Sequence, residues 1–206
     1  MSDVDTKTME LFAAEVCRPS LEELLDQANT AIKSLMRAGH PIVCGYSSGK
    51  DSSTMTNMVL VCASEIVKEG YKPIVIVMNG DTRIENPEIR ELCVTEMQKM
   101  VAYGKANGFK VITRVAAPNV LSTFQVSILS GRAIPSFAGQ KADCTQSYKI
   151  QPQRRVRNEV IANLKQAGLP EAVVLIGTRF DESELSRLRK YPTAKSTPQW
   201  RDALSA

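Results

Sequence analysis

The chain has 206 residues, of which 43% are hydrophobic and 23% charged, with a net charge of +4. That length suits one domain, residues 1–206, with a core large enough for independent stability. No apolar run approaches the roughly 20 residues of a membrane span, and the acidic start MSDVDTKTMELF lacks the basic-then-apolar layout of a secretion signal.

In chain order, Ser20-Leu21-Glu22-Glu23 is a capping box. Leu21, Leu24, Leu25, Ala28, Ile32, Leu35 and Met36 follow at helical spacing, so a helix is expected over 20–38, ended by Gly39. A core over 40–190 then alternates strand and helix. Ile42–Tyr46 reads as a buried strand, and Asp51 or Ser52 caps a helix with Met55, Met58, Val59, Cys62 and Ile66 inside, closed by Gly70. Pro73–Met78 is a second, wholly apolar strand, as in a parallel sheet covered on both faces. Pro87 opens a helix with a stripe of Ile89, Leu92, Cys93, Met100 and Val101. Phe109–Val115 is a third strand, and 118–147 reads as loop with a short helix. Pro152 opens a helix carrying Val156, Val160, Ile161 and Leu164, and Ala172–Ile176 is a fourth strand. An irregular tail, 191–206, contains Trp200 as a packing anchor. The pattern predicts an α/β fold, a parallel sheet with helices on both faces.

Five widely spaced cysteines, with no CxxC, support neither a zinc ribbon nor a disulfide framework. A cytoplasmic protein with reduced core thiols and no membrane association is expected. The charge is unevenly placed: from Lys141 onward there are 12 Lys/Arg against 7 Asp/Glu. A basic C-terminal third fits an acidic partner such as a nucleotide or nucleic acid, and fits a solvated surface equally.

In parallel sheets, ligands sit beyond the carboxyl ends of the strands. Three polar clusters fall there. Ser47-Ser48-Gly49-Lys50-Asp51-Ser52-Ser53 lies between the first strand and its helix. Such a turn aims backbone N–H groups and a helix N-terminus at one point, an anion site. Lys50 adds positive charge, and the Asp51 carboxylate suits phosphate only with a cation between, so the chemistry reads as nucleotide phosphate with Mg²⁺. This is not a Walker A loop: Cys44 stands where the first Gly belongs, and Asp51 replaces the metal-binding Ser/Thr. Asn79-Gly80-Asp81-Thr82 follows the second strand. There Asp81 could approach Mg²⁺ or ribose and Gly80 could admit a base, or Asp81 could simply sit in a turn. Gly177-Thr178-Arg179 follows the fourth strand, with carboxylates nearby; it reads as a site arginine or as part of a surface ion-pair network. A further segment, Asp143–Pro152, places Cys144, Thr145 and Lys149 just before a helix.

The 47–53 run resembles the pyrophosphate loop, Ser-Gly-Gly-Lys-Asp-Ser/Thr, of ATP pyrophosphatases, with Ser48 in place of the first Gly. With Asp81-Thr82, Cys144-Thr145 through Lys149 to Pro152, and Gly177 through Arg179 to Glu182-Ser183, it resembles the phosphoadenosine-phosphosulfate reductase branch of that superfamily over residues 42–190. The wording at Asp81–Pro87 is closest to DNA phosphorothioation enzymes of the DndC/SspD type. The chain departs from the reductases, which carry a C-terminal Glu-Cys-Gly-x-His segment: no cysteine follows Cys144, and His40 is the sole histidine. The iron–sulfur cysteine set of the longer DndC type is also missing, so the compact SspD type is the better likeness.

The resemblance implies an adenine nucleotide α-hydrolase-like fold and cleavage of ATP between its α- and β-phosphates with Mg²⁺. It implies nucleotide binding by Ser47, Ser48, Gly49, Lys50, Asp51, Ser52, Gly80, Asp81 and Arg179, metal binding by Asp51 and Asp81, and catalysis by Lys50, Asp51, Lys149 and Arg179. DNA would be the substrate through its backbone phosphate, and a cysteine desulfurase the sulfur donor, with Cys144 as a relay or a spectator. Other phosphorothioation proteins, a nickase and an ATPase, would be partners, and a homo-oligomer is compatible. Two alternatives stay open: another adenylyl-transfer enzyme, such as a sulfate adenylyltransferase small subunit or a tRNA sulfur-transfer enzyme, and a non-catalytic ATP-sensing subunit. Tyr148 beside Lys149 and Phe180 beside Arg179 are candidate base-stacking positions or packing residues.

Overall fold

The computed structural model describes residues 20–131 and 145–177. Helix α1 (Leu21–Arg37) starts on the expected capping box: the Glu23 N–H donates to Ser20 Oγ at 3.2 Å, and the Ser20 N–H to Glu23 Oε2 at 2.8 Å. Gly39, with φ +84°, turns the chain out of the helix in a conformation that costs glycine little. Then come strand β1 (Ile42–Tyr46), helix α2 (Lys50–Lys68), strand β2 (Ile74–Gly80), helix α3 (Pro87–Ala106) and strand β3 (Lys110–Ala116). A 3₁₀ turn at Val120–Ser122 leads into the short helix α4 (Phe124–Leu129). A wide π-type turn, Thr145–Ile150, runs directly into helix α5 (Gln151–Gln166), and strand β4 (Val173–Ile176) follows.

The four strands pair in parallel in the order β3-β2-β1-β4. Alternate residues of each strand face opposite sides. Ile42, Cys44, Tyr46, Val75 and Val77 join Ile32 and Met36 of α1, Val59, Cys62 and Ile66 of α2, and Cys93, Met97 and Met100 of α3 in one core. On the other face, Val43, Ile76 and Met78 pack against Val160 of α5, with Val156 and Leu164 half-buried beside it. The sheet is therefore covered on both sides, as expected. Cys44, Cys62 and Cys93 are buried free thiols. No helix among the described residues is long and apolar enough to cross a membrane.

Three expectations need correction. The inner face of α3 is Cys93, Met97, Met100 and Gly104, whereas Ile89, Leu92 and Val101 are exposed. Gly104 sets that face: the space where its side chain would stand is taken by Val111 of β3, so the helix can approach the strand only along this line. Helix α1 buries only its second half, and Leu21 is 72% exposed. It runs alongside α2, tied by Lys33–Glu65 at 2.6 Å and a two-pronged Arg37–Glu69 contact at 2.8 and 2.9 Å, both in its last turns. Strand β4 is apolar but half-covered, with Val174 and Ile176 exposed, because among the described residues it is an edge strand.

Candidate functional site

β2 and β4 lie on opposite sides of β1, so the chain reverses direction across the sheet at β1. Open α/β sheets hold ligands in the crevice at such a reversal, outside the carboxyl ends of the strands. The 47–53 turn leaves β1 at that crevice. Gly177 leaves β4 beside it, close enough that a Cβ there would stand 2.7 Å from the Asp51 carbonyl oxygen.

The turn is built from serines. Ser52 Oγ accepts from the Ser47 N–H at 3.2 Å, donates to the Gly49 carbonyl at 3.0 Å and lies 3.1 Å from Ser47 Oγ. These bonds close the turn from inside. Ser48 takes φ +59°, the left-handed conformation in which glycine is at ease, and so fills the place of the loop's first Gly at a cost in strain. Its hydroxyl is buried and makes no well-formed hydrogen bond, only a loose contact with the Cys93 thiol on α3. Burial raises the Cys93 pKa; Ser48 partly offsets this, and the Glu85 and Asp81 carboxylates add to the rise.

Asp51 and Ser52 do not cap α2. The N-cap is Gly49, which offers no side chain and makes no capping hydrogen bond, and the first turn of a helix directs its N–H groups outward past the cap. Lys50 and Asp51 are the first two residues of that turn, Lys50 exposed and Asp51 partly so.

On the α5 side of the crevice is a cavity of about 360 Å³. Its floor includes Val43, Met78, Val174 and Ile176, and one wall is Ser47, Ser52 and Gly177. The facing wall carries Lys149, Gln153, Arg154 and Arg157, and no carboxylate is among the described residues that line the cavity. Apolar floor and cationic wall suit a ligand that is part flat and apolar, part anionic. The wide turn before α5 is what sets Lys149 on this wall. Tyr148 is a packing residue, buried and edge-to-face with Phe124 at 6.1 Å, and offers no stacking surface.

Asp81 is placed differently from Asp51. It is 7% exposed, its Oδ1 accepts from the Arg83 N–H at 2.9 Å, and its Oδ2 faces Arg90 Nε at 3.3 Å and Arg83 Nε at 3.7 Å. With Glu85, Arg90 and Glu91 it lines a separate cavity of about 500 Å³ beyond β2. Asp51 instead lines a cavity of about 530 Å³ with Thr54, Met55 and Met58 of α2 and Ala28, Ala31 and Ile32 of α1. The expected pairing of Asp51 with Asp81 around one metal is thus not assembled here, because the two arginines hold Asp81. Among the described residues no three potential ligands cluster. A Mg²⁺ ion held by Asp51 would take its other ligands from phosphate oxygens and water, which is how that ion is usually bound in phosphate sites.

Gly80 also differs from expectation: the space over it is filled by the side-chain amide of Gln153, joining the second strand to α5. Arg179 and Cys144 lie outside the described residues, as do Thr178, Phe180 and Trp200. Sequence reasoning passed over Gln153, Arg154 and Arg157. Arg-rich helix segments usually read as solvated faces, and only the passage of α5 over the crevice turns them inward.

No protein-family model and no curated protein matches the sequence. Among solved structures, one that matches is the crystal structure of NAD+ synthetase from Burkholderia pseudomallei, with 14% identity and a TM-score of 0.42. The match covers 76% of this chain and 61% of that one, so the chain spans less than two thirds of that neighbour's length.

Proposed function

We propose that the protein is an ATP pyrophosphatase that adenylylates an anionic acceptor, with a DNA backbone phosphate as the acceptor in phosphorothioate modification. The observation that carries the reading is one cavity with Ser47 and Ser52, at the uncapped start of α2, on one side and Lys149, Arg154 and Arg157 on the other, with no carboxylate among its described lining residues.

The triphosphate would lie along the 47–53 turn, its outer phosphates on the first-turn N–H groups and Lys50, with Asp51 toward Mg²⁺. Bound Mg²⁺ would make pyrophosphate a better leaving group. Lys149 would stabilise charge developing at the α-phosphate, and Arg179, by the family resemblance, would do the same. A non-bridging oxygen of the acceptor attacks the α-phosphorus, the bond to the bridging oxygen breaks, and pyrophosphate leaves. In the phosphorothioation reading, a persulfide from a cysteine desulfurase partner then displaces AMP, and a thiol cleaves the resulting S–S bond. The nickase and ATPase of such systems would be further partners, and the DNA-specific half rests on the family resemblance of the 81–87 segment.

The test is the product of ATP turnover by purified protein with Mg²⁺ and DNA. Pyrophosphate and an adenylylated product are expected, both lost in Lys50→Ala, together with phosphorothioate linkages in host DNA. ADP with phosphate, or no turnover in the presence of the partners, would leave an ATP-sensing role. Sulfate-dependent pyrophosphate exchange would move the acceptor from DNA to sulfate.

A further inference from the structure

We infer that Arg154 and Arg157, continuing from Lys149 along α5, form a second anion subsite that holds the phosphodiester backbone of the nucleic-acid acceptor, apart from the nucleotide on the 47–53 turn. The inference rests on the adenylyl-transfer reading for the identity of the nucleotide, and not for the subsite itself.

Grouping around one cavity, rather than charge pairing alone, sets these residues apart. Lys33, Arg37, Arg83, Arg90 and Lys99 each stand against a carboxylate, and the other unpaired cations of the described residues, such as Lys72, Lys105 and Lys110, line no cavity with them. Lys149, Arg154 and Arg157 meet no carboxylate among the described residues, and no acidic side chain is among the described residues that line their cavity. Three cations with no carboxylate partner among the described residues, around one concave apolar floor, make a region of positive potential. Arg155, on the same helix, is turned away and donates to the Ala117 carbonyl at 3.3 Å, so the inward pair is selected by helix geometry.

Placement separates this subsite from the nucleotide's own. Lys50 and Asp51 are not on the wall of this cavity; Ser47 and Ser52 are its nearest parts of the turn. Lys149, Gln153 and Arg157 recur every fourth residue, a single stripe that spans roughly 12 Å of helix. Arg157 is half-buried and Arg154 exposed, so the cationic wall continues out of the cavity onto the surface. A free oxyanion would need only the enclosed part. A polymer must enter and leave, and successive phosphates can then meet successive cations.

The reaction itself demands such a wall. An anionic oxygen must approach a triphosphate, and the two repel unless cations stand on the acceptor side as well. Lys50 neutralises one partner, and the α5 arginines would neutralise the other.

The experiment uses the full chain, a fluorescein-labelled single-stranded DNA oligonucleotide followed by anisotropy at several salt concentrations, and separate titration with a non-hydrolysable ATP analogue and Mg²⁺. Arg154→Ala and Arg157→Ala should each weaken oligonucleotide binding roughly tenfold and make the slope of log affinity against log salt shallower by about 0.7 per residue. Analogue affinity should change less than twofold, and Arg154→Lys with Arg157→Lys should restore the slope. The inference is overturned if oligonucleotide affinity and slope do not move, if the analogue is lost instead, or if millimolar inorganic phosphate displaces the oligonucleotide as well as a competing strand does. Arginine-dependent oligonucleotide binding without pyrophosphate release would keep the subsite and remove the adenylyl-transfer reading. Pyrophosphate release with arginine-independent binding would do the reverse.

Discussion

Gly177 and Asp51 touch through their backbones: the end of β4 is set against the first turn of α2, with room for a hydrogen and none for a methyl group. A Cβ on Gly177 would stand 2.7 Å from the Asp51 carbonyl oxygen and 3.0 Å from the Ser52 nitrogen. Neither atom can swing aside, because both belong to the backbone of the first turn of α2, where the proposed nucleotide site begins. Gly177→Ala is expected to destabilise the protein by roughly 1–3 kcal/mol and to weaken nucleotide binding more than that loss alone explains. Denaturant midpoints and nucleotide titrations of the variant check both. A variant with wild-type affinity would mean that the turn tolerates displacement.

Ser48 is the opposite case, a residue whose replacement by glycine should help. Its φ of +59° costs an L-residue roughly 1–2 kcal/mol, offset in part by the 0.5–1 kcal/mol of chain entropy that glycine gives up on folding. Its buried hydroxyl gains only a loose contact with the Cys93 thiol in return. Ser48→Gly should therefore raise stability by about 0.5–1 kcal/mol, read as a higher urea midpoint at unchanged slope. A loss of stability would show that the hydroxyl is bonded, with the Cys93 thiol as the nearest partner. A loss of nucleotide affinity at unchanged stability would assign the hydroxyl to the ligand.

Asp81 is a structural carboxylate, unlike Asp51, which the proposed function turns toward Mg²⁺. Its Oδ1 holds the Arg83 N–H, and Arg83 sits at φ +67°, so the carboxylate fixes a turn that is otherwise strained. Asparagine can still accept that bond, whereas alanine cannot. Asp81→Ala is expected to cost roughly 1–3 kcal/mol and Asp81→Asn under about 1 kcal/mol, since the flanking arginines are largely exposed. Neither should change the Mg²⁺ concentration needed for nucleotide binding, whereas Asp51→Asn should raise it severalfold. A Mg²⁺ requirement that rises in Asp81→Asn would return Asp81 to the metal.

How far the sequence reaches depends on how local the signal is. β1, β2 and the turn between β1 and α2 were readable because a buried parallel strand is a continuous apolar run and Gly-Lys-Asp-Ser follows one directly. The capping box of α1 is local in the same way. The inner face of α3 was not readable: Ile89, Leu92, Val94 and Val101 compete with Met97 and Met100 for it, and the decision falls to Gly104, where β3 comes close. The role of Asp81 was hidden because its partner Arg90 is a turn into the next helix, nine residues away. The wall of Arg154 and Arg157 was hidden because it exists only once α5, packed against β2 and β3, carries the chain on to β4.

The buried thiols give the protein an alkaline limit. Cys44, in the middle strand of the sheet core, has a thiol whose pKa burial pushes up to about 12 from its ordinary 9.0. Burial raises Cys62 and Cys93 as well. Above pH 9 an unfolded Cys44 loses its proton while the folded one keeps it, so the folded state binds more protons between pH 9 and 12. Stability should thus be insensitive to this group below pH 9 and fall above it, by up to about 1.4 kcal/mol per pH unit. Urea midpoints at pH 7 to 10.5 test this. Cys44→Ala should be less stable throughout, through the cavity it leaves, yet lose stability less steeply above pH 9. Equal slopes in the two proteins would mean that the folded thiol ionises normally. In that case Cys44 would also be alkylated in the native state at pH 9, when the buried neutral thiol should react only after unfolding.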